Sequence, residues 1–175
     1  MDLNIREVNE ADAAAILAIY APYIEKTAIT FEYTVPTVAE FRERIARISS
    51  QFPYIVAEVG GKIAGYAYAS TFHERAAYLH SAELSIYVDE KLHGGGIGRT
   101  LYEELEKRLF SRDITALYAC IAVTPRKNDA YLTDASPRFH EKLGYAQCGY
   151  FTHCAVKFDV WYDIAYYEKH LGEKI

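Results

Sequence analysis

Residues 85–105 read SIYVDEKLHGGGIGRTLYEEL, and this stretch decides the fold. An apolar strand runs into a loop that has four glycines within five residues, and an amphipathic helix follows at once. Glycines let the backbone take positive φ angles and approach a ligand closely. The helix, which we expect to begin near Gly98, aims its unpaired N–H groups and the positive end of its dipole at the loop. The stretch therefore predicts a site for an anion, most often a phosphate.

Three other interpretations of a glycine loop fit less well. A P-loop ends in Gly-Lys-Ser/Thr, whereas Gly98 is followed by Arg99 and Thr100. A dinucleotide fingerprint has the spacing Gly-x-Gly-x-x-Gly early in a βαβ unit, and this mid-chain loop does not match it. The run from His93 to Gly96 matches the oxyanion-hole motif of lipases and esterases, but the chain has no Gly-x-Ser-x-Gly. A tight loop without a ligand stays open as an alternative.

Composition excludes several classes of protein. A chain of 175 residues is one ordinary globular domain, which we place at residues 1–175. The net charge of −5 argues against nucleic acid, which calls for a basic patch. The N-terminus does not read as a signal peptide, and no apolar run reaches the ~20 residues that cross a bilayer. The cysteines Cys120, Cys148 and Cys154 are odd in number and lack metal-site spacing, so we expect reduced cytoplasmic thiols, no metal, and Cys120 in a strand core.

Hydrophobic periodicity and capping signals predict the element order β-α-α-β-β-β-α-β-α-β-β. Strands are expected at residues 3–8, 54–59, 62–68, 77–88, 117–123, 147–158 and 161–167. Helices are expected after Asn9, after the capping box Thr37–Glu40, near Gly98, and from about Ser136 to Gly144. This order predicts an α/β fold with a mixed sheet and helices on both of its faces.

The loop and its flanks resemble the GNAT superfamily of acyl-CoA N-acyltransferases, whose signature is Gln/Arg-x-x-Gly-x-Gly/Ala between a strand and a helix. Here histidine takes the first position, and both small positions are kept. The resemblance implies that the strands on either side of this helix run parallel but splay apart, with the pantetheine arm of coenzyme A (CoA) in the opening. It also implies that one run of residues holds the pyrophosphate of acetyl-CoA: His93, Gly94, Gly95, Gly96, Ile97, Gly98 and Arg99.

The strand before the loop carries a second match. Residues 80–88, HSAELSIYV, look like the His-x-x-Glu-x-Ser-x-Tyr-Val of the phosphinothricin acetyltransferase-like branch. Acyl transfer to an amine needs a base, and a carboxylate inside a central strand is costly unless it has a role or a partner. The resemblance makes Glu83 that base; an ion pair with a neighbour such as His80 is the alternative. It also implies that backbone groups of Ile86, Tyr87 and Val88 bond the pantetheine, and the N–H of Tyr87 or Val88 is a candidate to polarise the thioester oxygen.

Two further segments continue the resemblance. Residues 133–145 are similar to Asn-x-x-Ser-x-x-Leu/Phe-Tyr/His-x-x-x-Gly-Phe. Ser136 is kept, Thr133 replaces the asparagine that contacts CoA, and Asn128 in the preceding loop is a candidate substitute. His140 takes the position whose side chain can protonate the leaving thiolate; a solvated helix residue is the alternative. Residues 157–163 resemble the branch's Lys-x-x-x-Trp-x-Asp ending.

The sequence says less about the residues that bind the acceptor amine. By position in the fold, the resemblance implies that the amine side is lined by Phe31, Glu32, Tyr33, His73 and Tyr78. Members of the branch that acetylate the herbicide carry Trp-Arg and Tyr-Arg before the catalytic strand, where this chain has Phe72-His73 and Tyr78-Leu79. Such arginines would hold an anionic amino-acid analogue, so their absence argues against phosphinothricin as the native acceptor.

We therefore expect a cytoplasmic N-acetyltransferase, with a homodimer implied by the resemblance and by the aromatic C-terminal strands. It would transfer an acetyl group from acetyl-CoA to the primary amine of an amino acid or analogue by direct attack in a ternary complex. No metal, nucleic acid or membrane partner is expected. The alternatives are a non-catalytic acetyl-CoA-binding sensor or partner module, and a hydrolase that uses the backbone of residues 93–96 as an oxyanion hole.

Overall fold

A computed structural model describes residues 3–172, and its helices and strands follow the predicted order. The strands are β1 (Leu3–Glu7), β2 (Tyr54–Val59), β3 (Lys62–Thr71), β4 (Ser81–Val88), β5 (Ala116–Val123), β6 (Ala146–Lys157) and β7 (Val160–His170). The helices are α1 (Ala13–Lys26), α2 (Val38–Ser49), α3 (Ile97–Phe110) and α4 (Ala135–Lys142).

The strands form one seven-stranded sheet in the order β1-β2-β3-β4-β5-β7-β6. Every neighbouring pair is antiparallel except β4 and β5. These two strands run parallel and pair only where Ser81–Glu83 meets Ala116–Tyr118. Beyond Glu83 they separate, which confirms the predicted splay and leaves an opening in the middle of the sheet.

Local sequence signals set the ends of several elements. Asn9 and Thr37 each form a complete capping box, at the 3₁₀ turn before α1 and at the start of α2. The hairpin between β2 and β3 turns at Gly60 and Gly61, whose φ angles are +57° and +75°. Two successive positive φ angles are typical of the tight turn whose twist suits a β-hairpin.

Each face of the sheet carries its own core. On one face α1 and α2 pack against Tyr54, Val56 and Tyr66. On the other, α3 packs through three leucines, Leu101, Leu105 and Leu109, all fully buried. Truncation of such a leucine to alanine typically costs about 2–5 kcal/mol. The two layers hold the splayed centre of the sheet between them.

Two predictions were wrong. Residues 77–80 are not strand: a 3₁₀ turn at Ala76–Tyr78 precedes β4, which begins at Ser81. The ladders explain this boundary, because β3 ends opposite Ala82 and β5 begins opposite Ser81. Cys120 is exposed rather than in a core, because it borders the opening where β4 no longer covers β5.

Candidate active site

The opening between β4 and β5 is a cleft that passes through the sheet. Leu84–Tyr87 line one side of it and Ala119–Ala122 the other. Ile29, which follows α1, lines it from one face, and Tyr102, Ser136 and His140 of α3 and α4 line it from the opposite face. Because β5 has diverged, the backbone of Leu84–Tyr87 has no strand partner on this side. A bound chain can add here as an extra strand would.

Glu83 lies on β4 at the fork of this cleft. Its side chain is half-buried and, among residues 3–172, forms no hydrogen bond or ion pair with another side chain. The alternative partner, His80, instead contacts the backbone carbonyl of Asp113 through Nδ1 (2.6 Å). Burial raises the pKa of Glu83, and the nearby His73 lowers it by less. A carboxyl group with a raised pKa and no protein partner is suited to act as a general base.

The glycine loop leaves the start of α3 open to an anion. Gly94 and Gly96 have φ angles of +82° and +81°, and Gly96 is the N-cap of α3. Within residues 3–172 no side chain caps this end, so the first N–H groups of the helix have no partner in the described chain. Gly98 serves a different purpose, because a Cβ there would lie 3.1 Å from the Phe139 ring of α4. The exposed Arg99 forms an ion pair with Glu103 one helical turn away (3.6 Å).

His93 turns back from the loop and joins α1 to the end of β4. The Tyr23 hydroxyl donates to the Val88 carbonyl oxygen (2.5 Å), and Nε2 of His93 lies 2.9 Å from that hydroxyl and 3.1 Å from the same carbonyl. The Val88 carbonyl is therefore engaged by protein side chains, and the backbone of Tyr87 pairs with Tyr66 of β3, which leaves Ile86 as the main backbone partner for a ligand. No sequence motif indicated Tyr23; its place on the buried face of α1 is the signal that could have done so.

The structure changes the interpretation of His140. The ring is buried, and Nδ1 lies 2.8 Å from the Ser136 carbonyl, which can only accept, so Nδ1 carries the hydrogen. Nε2 then accepts from the Tyr102 hydroxyl (2.8 Å). Burial lowers the pKa of His140 to about 4, so the ring is neutral at pH 7 and has no spare proton to give. The solvated alternative is wrong as well, since only 3% of the residue is exposed.

The candidate CoA contacts on the last loop are divided. Ser136 lines the cleft, whereas Asn128 and Thr133 are exposed and outside its lining. Asn128 adopts a positive φ of 59°, and the Thr133 hydroxyl accepts from the N–H of Ala135 (3.3 Å). The loop itself is held at Asp129, which forms an ion pair with Arg126.

The predicted acceptor residues after α1 have unequal surroundings. Glu32 forms an ion pair with Arg44 of α2 (2.5 Å), and its second oxygen, Oε2, is buried with no hydrogen-bond partner in the described chain. Phe31 packs on Tyr162 (6.2 Å between ring centroids). The Tyr33 hydroxyl donates to the backbone of β6, so Phe31 and Tyr33 join this segment to the C-terminal strands.

His73 and Tyr78 come together beside Glu83. Their ring centroids lie 4.8 Å apart, and both contact the ring of Phe72. Phe72 in turn stacks on Tyr118 of β5. The sequence indicated neither Tyr118 nor Arg44, because each reaches the site through neighbours that are distant in the chain.

Residues 3–172 contain neither a membrane-spanning helix nor a cluster of metal-ligating side chains. No helix there is long and apolar enough to cross a membrane. Nor do histidine, cysteine, aspartate and glutamate side chains form a group of three or more that would hold a metal ion.

The splayed strands, the uncapped helix behind a glycine loop and the carboxylate at the fork define an acyltransferase. Comparison with known proteins agrees, since residues 5–165 match the family model described as an acetyltransferase (GNAT) domain. The chain belongs to the GNAT acetyltransferases, in the branch that resembles phosphinothricin acetyltransferase, and is an N-acetyltransferase.

Three relatives support this assignment. The chain is 34% identical to phosphinothricin N-acetyltransferase of Alcaligenes faecalis over 97% of its own length and 83% of the relative's. It is 31% identical to the enzyme of that name from Streptomyces viridochromogenes, with 95% and 87% covered. A crystal structure of a phosphinothricin acetyltransferase from Sinorhizobium meliloti, in complex with acetyl-CoA, has a TM-score of 0.88 and 32% identity, with 98% and 90% covered.

Proposed function

We propose that the protein acetylates the primary amine of a small molecule, an amino acid or an analogue of one, with acetyl-CoA as donor. The observation that carries this proposal is the cleft through the sheet. The cleft joins the α3–α4 face, where the loop leaves helix N–H groups open, to the α1–α2 face, which carries Glu83. Donor and acceptor can therefore approach from opposite faces and meet at the fork, which favours direct attack in a ternary complex.

The donor side consists mainly of backbone groups. Acetyl-CoA supplies an acyl group on a thiol leaving group. The loop of residues 93–99 and the start of α3 offer N–H groups and the positive end of a helix dipole to its diphosphate. The unpaired backbone of β4 beyond Glu83 offers hydrogen bonds along the pantetheine arm. A backbone N–H, that of Tyr87 or Val88 in the sequence prediction, stays our candidate to polarise the thioester carbonyl, and we favour Val88 because Tyr87 pairs with Tyr66 of β3.

Glu83 acts on the acceptor side. An ammonium group has no lone pair, so the amine must lose a proton before it can attack. Glu83 accepts that proton, directly or through a water, because its carboxylate has no protein partner and a raised pKa. Phe31, Glu32, Tyr33, His73 and Tyr78 stay our candidates for the amine side.

His140 orients the Tyr102 hydroxyl at the cleft wall rather than giving up its own proton. The hydrogen bonds from Nδ1 to Ser136 and from Tyr102 to Nε2 fix the ring and its neutral tautomer. His140 is thus a positioning residue in this proposal.

Three further proposals complete the description. The names of the relatives from Alcaligenes and Streptomyces place their acceptor among amino-acid analogues, and we carry that class over to this chain. The unpaired thiols of Cys120, Cys148 and Cys154 support a cytoplasmic location. The exposed aromatic residues of β6 and β7 support a homodimer.

A panel of amines tests the proposal. Purified protein is mixed with acetyl-CoA and with amino acids, methionine sulfone-like analogues, polyamines or peptide N-termini, and the release of free thiol is followed. We expect amino acids or their analogues to give the fastest release. Tight binding of acetyl-CoA by calorimetry, with no thiol release from any amine, would instead identify a non-catalytic binding module.

A further inference from the structure

Four rings form one cluster at the closed end of the cleft, and we call Phe72, His73, Tyr78 and Tyr118 the aromatic wall. Phe72 and Tyr118 stack with centroids 4.1 Å apart and ring planes 12° apart. The His73 ring lies 4.3 Å from that of Phe72 at a tilt of 58°, and Tyr78 lies edge-on to Phe72 at 6.0 Å. Stacked and edge-on contacts of this kind hold rings in fixed relative positions.

Strand register places the wall beside the general base. Glu83 pairs with Tyr118 across the β4–β5 ladder and with Ser70 across the β3–β4 ladder. Phe72 lies one residue beyond the end of β3, and the stack on Tyr118 fixes the position of its ring. Tyr118 and Glu83 are paired and project to the same face of the sheet, so the rings of Phe72 and Tyr118 meet on the face that carries Glu83.

The wall is not part of the packing core. None of its four rings belongs to the three hydrophobic clusters in the part of the chain that the structure describes. His73 and Tyr78 are exposed, and Phe72 and Tyr118 are half-buried. Aromatic surface that is grouped and left open beside a reactive carboxylate is what a binding site for an apolar group requires.

We propose that the aromatic wall binds the side chain next to the reacting amine, so that the preferred acceptor is an amino acid or amine with an apolar or aromatic side chain. This inference rests on the proposed function. An amine within hydrogen-bond reach of Glu83 places its neighbouring substituent against these rings, which offer stacking and dispersion contacts. The four rings themselves supply no fixed charge for an anionic side chain.

The test compares kcat/KM for matched L-amino acids with acetyl-CoA and the full chain. Phenylalanine, leucine and methionine are expected to exceed alanine and glutamate by at least tenfold. Tyr118→Ala is expected to remove most of that advantage, mainly through a higher KM for the apolar and aromatic amino acids. Tyr118→Phe keeps the ring and should restore the preference. Tyr131→Ala, which removes one member of a similar exposed stack with Phe158 (4.1 Å), is the matched control.

The outcomes separate this inference from the proposed function. Thiol release with equal kcat/KM for apolar and polar side chains would overturn the inference alone. A preference for anionic side chains that is lost in Arg75→Gln would also overturn it, because the exposed Arg75 of the same segment would then select the acceptor. If the protein releases thiol with none of the amines although it is folded, as judged by its thermal unfolding midpoint, the proposed function itself is refuted.

Discussion

Glu83 is the residue on which the chemistry depends, and its substitution separates chemistry from folding. In Glu83→Gln we expect kcat to fall about 10²–10⁴-fold, as is typical when a general base is lost. Acetyl-CoA binding should persist, because backbone groups form that site. The thermal unfolding midpoint should not fall, since burial of the charged carboxylate costs stability and the amide removes that charge.

The pH profile of the same pair of proteins is a second readout. The base works only when it is deprotonated, so kcat/KM of the wild type should fall as the pH drops through the pKa of Glu83. Because burial raises that pKa, this decline should lie above the range of an ordinary glutamate. Near-normal turnover of Glu83→Gln across this range would refute the assignment.

His140 makes a prediction about stability rather than rate. Its pKa is about 4 in the folded protein and 6.5 as an unperturbed side chain, so the unfolded chain binds a proton first as the pH falls. The contribution of His140 is complete above pH 6.5 and is lost towards pH 4; it should shrink by about 2 kcal/mol between pH 7 and pH 5. Urea unfolding of wild type and His140→Gln should therefore show a stability difference that narrows by this amount. A constant difference would contradict the buried, neutral ring.

At the scale of elements, the turn into α3 depends on the backbone conformation of Gly96. An alanine there must adopt a φ of +81°, which costs about 1–2 kcal/mol for an L-residue. Gly96→Ala should lower the free energy of unfolding by up to this amount and weaken acetyl-CoA binding at least tenfold, because the backbone relieves part of the strain by turning the first N–H groups of α3 away from the anion site. Calorimetric titration and chemical unfolding measure the two effects.

The hairpin glycine Gly61 offers a matched control. Its φ is +75°, and nothing lies within 4 Å of the Cβ that an alanine would add. Gly61→Ala should therefore cost similar stability yet leave acetyl-CoA binding unchanged. Equal loss of binding in both variants would mean that the loop acts through general destabilisation and not as the anion site.

How far the sequence predicts the molecule depends on whether a feature is local. The helix starts after Asn9 and at the capping box Thr37–Glu40, and the loop before α3, each follow from a few adjacent residues, and all three were predicted. The stack of Phe72 on Tyr118 joins the segment after β3 to β5, and the bond from Tyr102 to His140 joins two helices. These contacts depend on which elements become neighbours in the fold, and no pattern of adjacent residues predicts that.

The predictions of one strand boundary and of one buried residue failed for the same physical reason, because both depend on which elements become neighbours. Residues 77–80 have strand-like composition, but no neighbouring strand extends far enough to pair with them. Cys120 lies in a strand and was expected in a core, yet the splay of β4 from β5 uncovers it. The loss of regular strand pairing that opens the cleft is therefore a feature that a prediction from single segments cannot include.

At the scale of the whole molecule, β6 is the feature that indicates a second chain. It is an edge strand of 12 residues, and its side chains are exposed over most of its length. Tyr150, Phe151 and Trp161 are 45%, 55% and 55% exposed, and all three lie on β6 and β7. Tyr150 and Phe151 are neighbours on β6, so they leave apolar surface open on both faces of this unprotected edge, as is typical of a strand that pairs with another chain. We expect the partner to be a second copy.

Phe151→Glu tests this expectation by placing a charge in the apolar surface. The wild type should sediment at twice the protomer mass at micromolar concentration, and the variant at the protomer mass, because an unpaired carboxylate buried between two copies is costly. Phe110→Glu is the matched control, since Phe110 is 53% exposed at the end of α3, away from β6. If Phe151→Glu stays dimeric, or if the wild type is already monomeric, β6 is not the interface. A monomeric variant that keeps its kcat/KM would show in addition that each cleft works alone, as expected if every residue of the site comes from one chain.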